Sequence, residues 1–395
     1  MRYILYLLIV FMLLTGCAPA PTLTPDLIPS PTPMPEPLPS PTFTIEPPTA
    51  APSDIPTPAR LPNAIPTDQL DAALFRFYEG NPVLQRSNNP EWDNQFVDPG
   101  GIVYHDSIFH MFYNGINGFP APVGVGYATS MDGYAWTRQT AKPVLSANAL
   151  SETNFPGSNL FVTSALVEAD GTWVLYFYTL GSGSFNGPGE IGRATAPAPT
   201  GPWTIDPDPV LNPGPSSAWD DVQVSGPNVL KTEDAYLMYY DALGSGSTSM
   251  IGMATSSDGI QWEKYNDPAT TEPAFAESDP VLTVSEESWD SKRVIDPNVI
   301  QTPDGFEMIY LSTSGSGKFT AGEFSFGAAT SPDGIVWTKS DLNPVLSTRD
   351  HPQWTQAYLA SLLYVEDTYF LYFDFVTLTT GGTNVYLATY NGSLR

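Results

Sequence analysis

Cysteine is almost absent from this chain: Cys17 is the single one in 395 residues, so no disulfide can form within the chain. Histidine is nearly as scarce. The three present, His105, His110 and His351, have no metal-ligand spacing, and no second cysteine could join them. The sequence therefore predicts neither a disulfide-stabilised fold nor a metal site built on these residues.

Positive charge is also scarce, with 15 Lys and Arg against 42 Asp and Glu, a formal net charge of -27. A chain this acidic has no positive field to gather phosphates, which argues against nucleic acid and against a polybasic membrane surface. No serine nucleophile motif, P-loop or dinucleotide fingerprint is present. The remaining composition, rich in aromatics at 12%, is typical of a globular extracellular protein with a biased tail.

A hydrophobic run of membrane-spanning length is missing from the N-terminal region, where the apolar run from Tyr3 to Leu14 is too short to cross a membrane. It is typical of a signal peptide, and Leu14-Thr15-Gly16-Cys17 matches the bacterial lipobox, in which the cysteine is lipidated. We expect residues 1–16 to be a lipoprotein signal peptide and Cys17 to carry the lipid. The alternative is an ordinary signal peptide with a chance cysteine.

A proline-rich stretch follows the expected lipidation site, with 17 prolines between Ala18 and Pro66. Proline fixes φ and removes backbone donors, so residues 17–66 are predicted to form an extended, semi-rigid spacer. The spacer would hold a domain of residues 67–395 away from a bacterial membrane, in the cell envelope and outside the cytoplasm.

The rest of the chain is built from five repeats. Pro-Val-Leu recurs every 61 to 71 residues, at Pro82, Pro143, Pro209, Pro280 and Pro344. Each repeat contains short β-type runs separated by Gly, Asp-Gly and Ser-Gly turns, and no run has a sustained helical period. Four strands in a unit of about 64 residues predict an all-β, five-bladed β-propeller with four-stranded blades. The predicted blades are about 82–142, 143–208, 209–279, 280–343, and 344–391 plus 75–81.

The fifth repeat lacks its last strand. Phe75 stands seven residues before Pro82, as Trp136 stands before Pro143. We therefore expect an N-terminal strand at about 75–78 to complete the last blade, which would close the ring and remove its open sheet edges.

Candidate site residues come from aligning the blades on their first strands. Asp98, in VDPGG, and Asp296, in IDPN, occupy the same slot in blades one and four. Three positions earlier the repeats have Gln95, Leu160, Gln223, Arg293 and Gln356. Polar side chains converging on the axis predict a ligand funnel, with Gln95, Gln223, Arg293 and Gln356 holding ligand hydroxyls.

Two carboxyl groups flanking a glycosidic bond are the usual catalysts of its hydrolysis. Asp98 and Asp296 are the predicted pair, facing each other across the funnel at a separation nearer the inverting range. A strand-entry turn in which each aspartate caps backbone N–H groups is the alternative. Further acids on the predicted top loops are Glu190, Asp241, Glu323 and Asp374, each of which could instead be a solvated loop charge.

Trp-Asp pairs recur at Trp92, Trp219 and Trp289. Because they serve the repeat rather than one site, we expect them to be structural, with the tryptophans packing between blades. A sugar-stacking platform is the alternative.

Several motifs resemble the five-bladed propeller glycoside hydrolases, the superfamily that includes families 32, 43, 62, 68, 117 and 130. The motifs lie within residues 75–391 and read VDPGG, IDPNVI, MFYNG, YATSMDGYAW, ATSSDGIQW and ATSPDGIVW. The resemblance implies that Asp98 is the general base of a family 43-like site. The chain departs from family 43 at two positions. Ser225-Gly226 stands where that family has a second Asp, and Asp296 stands where that family has a Glu as its acid. The SxDGxxW strings are also similar to the sialidase Asp box, but they lack one of its residues.

These observations predict a surface lipoprotein that binds and hydrolyses a glycan of the furanoside-containing or a related polysaccharide type. Asp98 and Asp296 would be its acid/base residues, with a loop Glu such as Glu323 as an alternative acid. A non-catalytic glycan-binding or surface-scaffold propeller is the alternative function. We expect a monomer without a cofactor, although an axial calcium ion is an open alternative in a funnel this acidic.

Overall fold

The computed structural model describes most of the chain beyond the predicted spacer. The described residues are 74–88, 92–118, 121–181, 189–246, 248–286, 288–313, 324–347, 354–377 and 381–394. The expected signal peptide, the lipidation site at Cys17 and the spacer therefore lie outside the described residues, as do Glu323 and His351. Within the described part, no helix is long and apolar enough to cross a membrane.

Blades one and two are antiparallel sheets arranged in chain order from the centre outward. Blade one contains β2 (Phe96–Asp98), β3 (Ile102–His105), β4 (Ile108–Ile116), β5 (Gly124–Ser130) and β6 (Thr137–Arg138), with β7 (Leu145–Ser146) returning along β5. Blade two contains β8 (Asn159–Val167), β9 (Trp173–Leu180), β10 (Ile191–Ala196) and β11 (Thr204–Ile205). A short 3-10 helix, Ala147–Glu152, lies between them.

Blades three and four repeat this order. Blade three contains β12 (Gln223–Lys231), β13 (Tyr236–Leu243), β14 (Ser249–Ser256) and β15 (Glu263–Lys264), and a 3-10 helix (Pro273–Phe275) and β16 (Pro280–Leu282) follow. Blade four contains β17 (Arg293–Thr302), β18 (Gly305–Thr313), β19 (Phe324–Ser331) and β20 (Thr338–Lys339), and β21 (Leu346–Ser347) pairs with β19.

Blade five is assembled from both ends of the domain. Its strands are β23 (Ala360–Val365), β24 (Thr368–Asp374), β26 (Val385–Tyr390) and β1 (Arg76–Phe77), and a small ribbon beside it pairs β22 (Trp354–Gln356) with β25 (Val376–Thr377). Arg76 pairs with Thr389 and Phe77 with Ala388, so β1 is the missing fourth strand. The five-bladed fold and the closing strand predicted at 75–78 are both confirmed.

The hydrophobic core is divided among the five blade boundaries. Alternate side chains of each aromatic second strand point to opposite faces of the sheet, so neighbouring residues pack against different blades. In β13, for example, Tyr240 faces blade two with Tyr176, whereas Tyr239 faces blade four with Tyr310. The same division between neighbouring clusters recurs at the other boundaries, which explains the aromatic-rich second strands.

The SxDG strings form turns that join neighbouring blades. In the first, Ser130 and Asp132 accept backbone N–H groups, and Gly133 adopts a positive φ of 77°. The carbonyl of Gly133 then accepts the hydroxyl of Tyr372 in blade five at 2.8 Å. Tyr176 and Tyr239 make the same contact to Gly259 and Gly334. The SxDG turns are therefore structural, because a hydrogen bond joins each of them to a neighbouring blade.

The Trp-Asp pairs are structural in a different way from the one expected. Trp92 stacks on Tyr113 of its own blade at 5.5 Å, while Asp93 is buried and binds Arg138 of the fourth strand at 3.2 Å. Blades three and four repeat this arrangement with Trp219, Asp220, Tyr240 and Lys264, and with Trp289, Asp290, Tyr310 and Lys339. Trp136, Trp262 and Trp337 of the SxDGxxW strings do pack across blade boundaries, as do Trp173 and Trp203 of blade two against Phe112 of blade one.

Candidate functional site

The predicted slot lies at an interruption of the first strand in four blades. Pairing breaks between β2 and β3 in blade one and shifts register in β8, β12 and β17. Gly226 and Asp296, which share the slot, have positive φ angles of 56° and 50°. Bulges re-aim side chains and recur beside functional sites. In these four blades the interruption changes the direction of the slot side chains, which no longer follow the regular alternation along the strand.

Asp98 forms a carboxyl–carboxyl pair with Asp374, the last residue of β24. Both side chains are buried, and a hydrogen bond joins them. A hydrogen bond between two carboxyl groups requires that one of them carries a proton, and Asp374 Oδ2 meets no other donor among the described N–H and O–H groups. Thr383 donates its hydroxyl to Asp98 Oδ1.

Burial controls the protonation of this pair. Desolvation raises the pKa of Asp98 to about 6, although the hydrogen bonds from Asp374 and Thr383 oppose the increase. Desolvation and the neighbouring Asp98 charge raise the pKa of Asp374 well above its ordinary value. The proton therefore belongs mainly to Asp374, which leaves Asp98 as the member that ionises first.

Asp296 belongs to a second pair, with Asp241 of β13. Asp241 Oδ1 accepts the backbone N–H of Asp296 at 3.1 Å, and its Oδ2 accepts the Ser225 hydroxyl at 2.6 Å. Desolvation, followed by the charge of Asp241, raises the pKa of Asp296 well above its ordinary value. Asp296 therefore holds its proton to higher pH than an ordinary aspartate does, and it lies next to an aspartate that accepts from two hydrogen-bond donors.

Three consecutive backbone N–H groups connect the two pairs. Those of Tyr358 and Leu359 donate to Asp374 Oδ1 at 2.7 and 3.1 Å. The next one, of Ala360, donates to Asp296 Oδ2 at 2.6 Å. The start of the first strand of blade five thus holds an acid of each pair in a fixed position, and the four carboxyl groups form one connected arrangement.

The four residues that the sequence predicted to hold ligand hydroxyls occupy different environments. Gln223 is fully buried and donates to Ser225 Oγ at 2.8 Å. Gln95 is exposed. Gln356 is half-buried, and its side-chain oxygen accepts a hydrogen bond from the Tyr358 hydroxyl. Arg293 is buried, and its Nη1 has no hydrogen-bond partner among the described residues. Desolvation lowers the pKa of Arg293, and the charge of Asp241 opposes that decrease.

The loop acids that the structure describes are not solvated charges. Glu190, Asp241 and Asp374 are 6%, 6% and 0% exposed, so the alternative of a solvated loop carboxylate is wrong for all three. Glu190 Oε2 accepts the Thr179 hydroxyl at 2.8 Å. The three acids are therefore held inside the protein.

The sequence indicated Asp374 only as a loop acid and gave Tyr178 no role, whereas the structure pairs Asp374 with Asp98 and packs Tyr178 against a cluster that includes Leu359. Asp374 and Tyr178 occupy the same position in the second strands, directly after an aromatic pair. The five members of that position are Asn114, Tyr178, Asp241, Leu311 and Asp374. Aligning the second strands in addition to the first would have revealed them, because Tyr176-Phe177-Tyr178 and Tyr372-Phe373-Asp374 share one pattern.

An apolar cluster lies beside the acids. Ile116, Phe161, Leu180 and Leu359 are buried together, and half-buried Phe96, Tyr178 and Tyr358 pack against them. These residues come from blades one, two and five. Ligand sites in proteins combine such apolar walls with a few placed polar groups, so this side can contact the carbon face of a ligand.

No metal centre is found in the part of the chain that the structure describes, where no group of three or more His, Cys, Asp or Glu is arranged to hold an ion. The alternative of an axial calcium therefore gains no support. A cleft of about 300 Å³ does lie at the rim of blade three, lined by Val210 to Pro215, Trp262 and Lys264. It is remote from the four acids and does not mark this site.

The glycosyl hydrolases family 32 N-terminal domain matches residues 89–325, more than half of the chain. The chain belongs to this glycosyl hydrolase family. The family 32 match spans Asp98, Asp241 and Asp296, and Asp374 lies beyond it. No curated protein matches the chain.

Solved structures show the same fold as this family 32 domain. A glycosyl hydrolase from Bacteroides ovatus has 16% identity and a TM-score of 0.58, covering 80% of this chain and 93% of its own. A structure from family 130, a family of mannoside phosphorylases that contains glycoside hydrolases targeting β-1,2 mannosidic linkages in Candida mannan, has 18% identity and a TM-score of 0.59. It covers 83% of this chain and 96% of its own. A thermostable family 43 glycoside hydrolase has 14% identity and a TM-score of 0.56, covering 78% and 91%. The resemblance predicted from the motifs is confirmed.

Proposed function

We propose that this chain hydrolyses a glycan in the propeller funnel, with Asp98 and Asp296 as its catalytic residues. The observation that carries the proposal is the pair of buried carboxyl environments: burial raises the pKa of Asp98 to about 6, and burial with the charge of Asp241 raises the pKa of Asp296 well above its ordinary value. Separated protonation states of two nearby acids are the usual basis for assigning a base and an acid. Family membership supports the same reaction class.

In the proposed reaction, Asp296 donates its proton to the leaving glycosidic oxygen while the bond from that oxygen to the anomeric carbon breaks. The Asp98 carboxylate stabilises the oxocarbenium-like transition state and accepts a proton from the attacking water. The water oxygen forms the new bond at the anomeric carbon. Asp374 is a positioning residue in this scheme, because its protonated carboxyl orients Asp98 without contacting the sugar.

We extend the proposal to a furanoside-containing plant or microbial polysaccharide. The support is the resemblance of VDPGG and IDPNVI to the propeller glycoside hydrolases, together with the match to family 32. The funnel would hold the reacting sugar between the four acids and the apolar cluster around Phe161.

We further propose that lipidated Cys17 holds the enzyme on the outside of a bacterial cytoplasmic or outer membrane. The lipobox and the proline-rich segment support this location. The test is incorporation of labelled palmitate and fractionation of the full chain beside Cys17→Ser. Label and membrane recovery that are equal in the two proteins would refute the anchor.

Hydrolysis is tested with residues 67–395 on a panel of aryl glycosides and polysaccharides. We expect turnover that falls by about 10²- to 10⁴-fold in Asp98→Asn and in Asp296→Asn. Asp106→Asn is a matched control, because the Asp106 side chain is 85% exposed in a turn away from the funnel. Turnover unchanged in Asp98→Asn would reject the assignment of the base.

A non-catalytic glycan-binding propeller is the second candidate. Its supporting observation is the burial of both members of the first pair, with Asp98 3% and Asp374 0% exposed. This candidate predicts no turnover on any substrate and saturable glycan binding that survives Asp98→Asn. Calorimetric titration of both proteins with the same polysaccharides distinguishes it from the enzyme.

A further inference from the structure

The second strands place one residue per blade at equivalent positions around the ring. Backbone pairing sets Asn114 opposite Asp98, Tyr178 opposite Phe161, and Asp241 opposite Ser225. Leu311 lies opposite Ile295, and the register of β24 continues to Asp374 beside Leu359. Their partners in the third strands each pair in turn with the leucine of a Pro-Val-Leu, so the five side chains start from corresponding places in the blades.

Three of the five reach the first strand of the next blade. Asn114 exchanges two hydrogen bonds of 2.9 Å with the backbone of Val162 in blade two. Asp241 accepts the Asp296 N–H of blade four, and Asp374 hydrogen-bonds Asp98 of blade one. The position therefore directs a polar side chain toward the neighbouring blade's slot.

Tyr178 is the blade-two member, and it differs from these three in length and exposure. Asn114, Asp241 and Asp374 are buried, whereas Tyr178 is half-buried. Its ring stacks on Phe161 with centroids 5.4 Å apart and an interplanar angle of 18°, which fixes the direction of the phenol. Its hydroxyl makes no hydrogen bond within the part of the chain that the structure describes.

The Tyr178 hydroxyl lies in the combined electric field of both carboxyl pairs. Burial raises its pKa far above the ordinary value, and the charges of Asp241, Asp296, Asp98 and Asp374 add to the increase. A tyrosine in that field remains protonated, so it is a hydrogen-bond donor in a site whose other groups are mostly carboxyl oxygens.

We propose that Tyr178 is a substrate-binding residue, whose hydroxyl donates a hydrogen bond to the sugar held between the two carboxyl pairs. The Tyr178 hydroxyl can donate to the ring and hydroxyl oxygens of the sugar. Ionised carboxylates only accept hydrogen bonds, so they cannot bond to these oxygens when the oxygens act as acceptors. This assignment rests on the proposed glycan function of the funnel and adds to it a residue that fixes the sugar's position.

The test is Tyr178→Phe, which removes the hydroxyl and keeps the stacked ring. A lost hydrogen bond of ordinary strength corresponds to about a five- to tenfold decrease in glycan affinity, or in kcat/KM through KM. Tyr364→Phe is the control, because it removes the hydroxyl of an exposed tyrosine that bonds Asp367 in the β23–β24 turn. The control is expected to leave both quantities unchanged.

Binding is also measured in the Asp98→Asn background, so the Tyr178 assignment can fail independently of hydrolysis. If no glycan is hydrolysed but Tyr178→Phe still weakens glycan binding, the residue assignment holds and the enzyme proposal fails. If hydrolysis is confirmed and Tyr178→Phe changes neither affinity nor KM, the assignment is wrong. A shift of the pH profile with unchanged KM would also overturn it, since the phenol would then act on the carboxyl groups and not on the sugar.

Discussion

Asp374 at the end of the second strand of blade five hydrogen-bonds Asp98 in the first strand of blade one, so the contact spans the boundary at which the ring closes. Closure by β1 completes blade five and brings these two acids together. The first carboxyl pair therefore lies at the boundary between the last blade and the first.

The first prediction concerns the pH dependence of stability. A carboxyl whose pKa is raised on folding makes the folded state bind more protons, so the free energy of unfolding decreases as pH rises. For Asp98 the decrease extends from about pH 3.8 to about pH 6, on the order of 3 kcal/mol. Ionisation of Asp374 continues it at higher pH.

Asp374→Asn mimics the protonated acid, since its amide can donate to Asp98 while its oxygen accepts from Tyr358 and Leu359. We expect the variant to match the wild type at pH 4 and to be more stable at pH 8. Urea unfolding from pH 4 to 8 measures this, with Asp106→Asn as the control. Parallel pH profiles for wild type and Asp374→Asn would contradict the shared-proton pair.

Asp296→Asn separates catalysis from stability. Because burial raises the pKa of Asp296 well above its ordinary value, its amide analogue is expected to fold with unchanged or slightly increased stability at pH 7. Turnover should nevertheless fall, because an amide cannot donate a proton to the leaving oxygen. Thermal unfolding and kcat are measured on the same preparation. Large destabilisation by Asp296→Asn would show that the ionised form predominates.

Gly226→Ala tests the bulge beside Asp241. Gly226 has a φ of 56°, and an added Cβ would stand 2.5 Å from Asp241 Oδ1. Backbone strain and displacement of Asp241 are expected to cost about 2 kcal/mol in unfolding free energy. Gly246→Ala is the control, since nothing lies within 4 Å of its Cβ. Equal effects of the two substitutions on unfolding would reject the crowded bulge.

Lys339→Met tests the ion pair, repeated in blades one, three and four, between the aspartate of a Trp-Asp pair and a cation of the fourth strand. It leaves Asp290, which is 1% exposed, without its cation, and loss of one partner of a buried pair is expected to cost about 3 kcal/mol. Lys231→Met breaks a pair in which the lysine is 41% exposed, so its cost should be about 1 kcal/mol or less. The double variant Lys339→Met/Asp290→Asn should recover part of the loss. Equal costs for both lysines would refute the difference in burial.

Phe75→Ala tests closure of the ring. Phe75 is 1% exposed and packs against Tyr369 and Tyr390 of blade five. Removing a buried phenyl ring is expected to cost about 3–5 kcal/mol. Met131→Ala, at a residue 73% exposed, should change the unfolding free energy by less than about 0.5 kcal/mol. If Phe75→Ala costs no more than this control, β1 contributes little to closure.

The repeat made the fold predictable, because Pro-Val-Leu, the box turns and the aromatic strands recur in every unit or most units. The packing of Trp92 was less predictable, since a recurring tryptophan can serve its own blade or a boundary. Only the structure shows that it stacks on Tyr113.

The sequence by itself determined the number of blades, the closing strand and the slot that holds Asp98 and Asp296, because local periodicity and turn chemistry are written in consecutive residues. The tertiary structure decided which carboxyl groups meet. Asp98 pairs with Asp374 and Asp296 with Asp241 through contacts between different blades. Such contacts, and the burial that sets each proton affinity, arise only when the ring is closed.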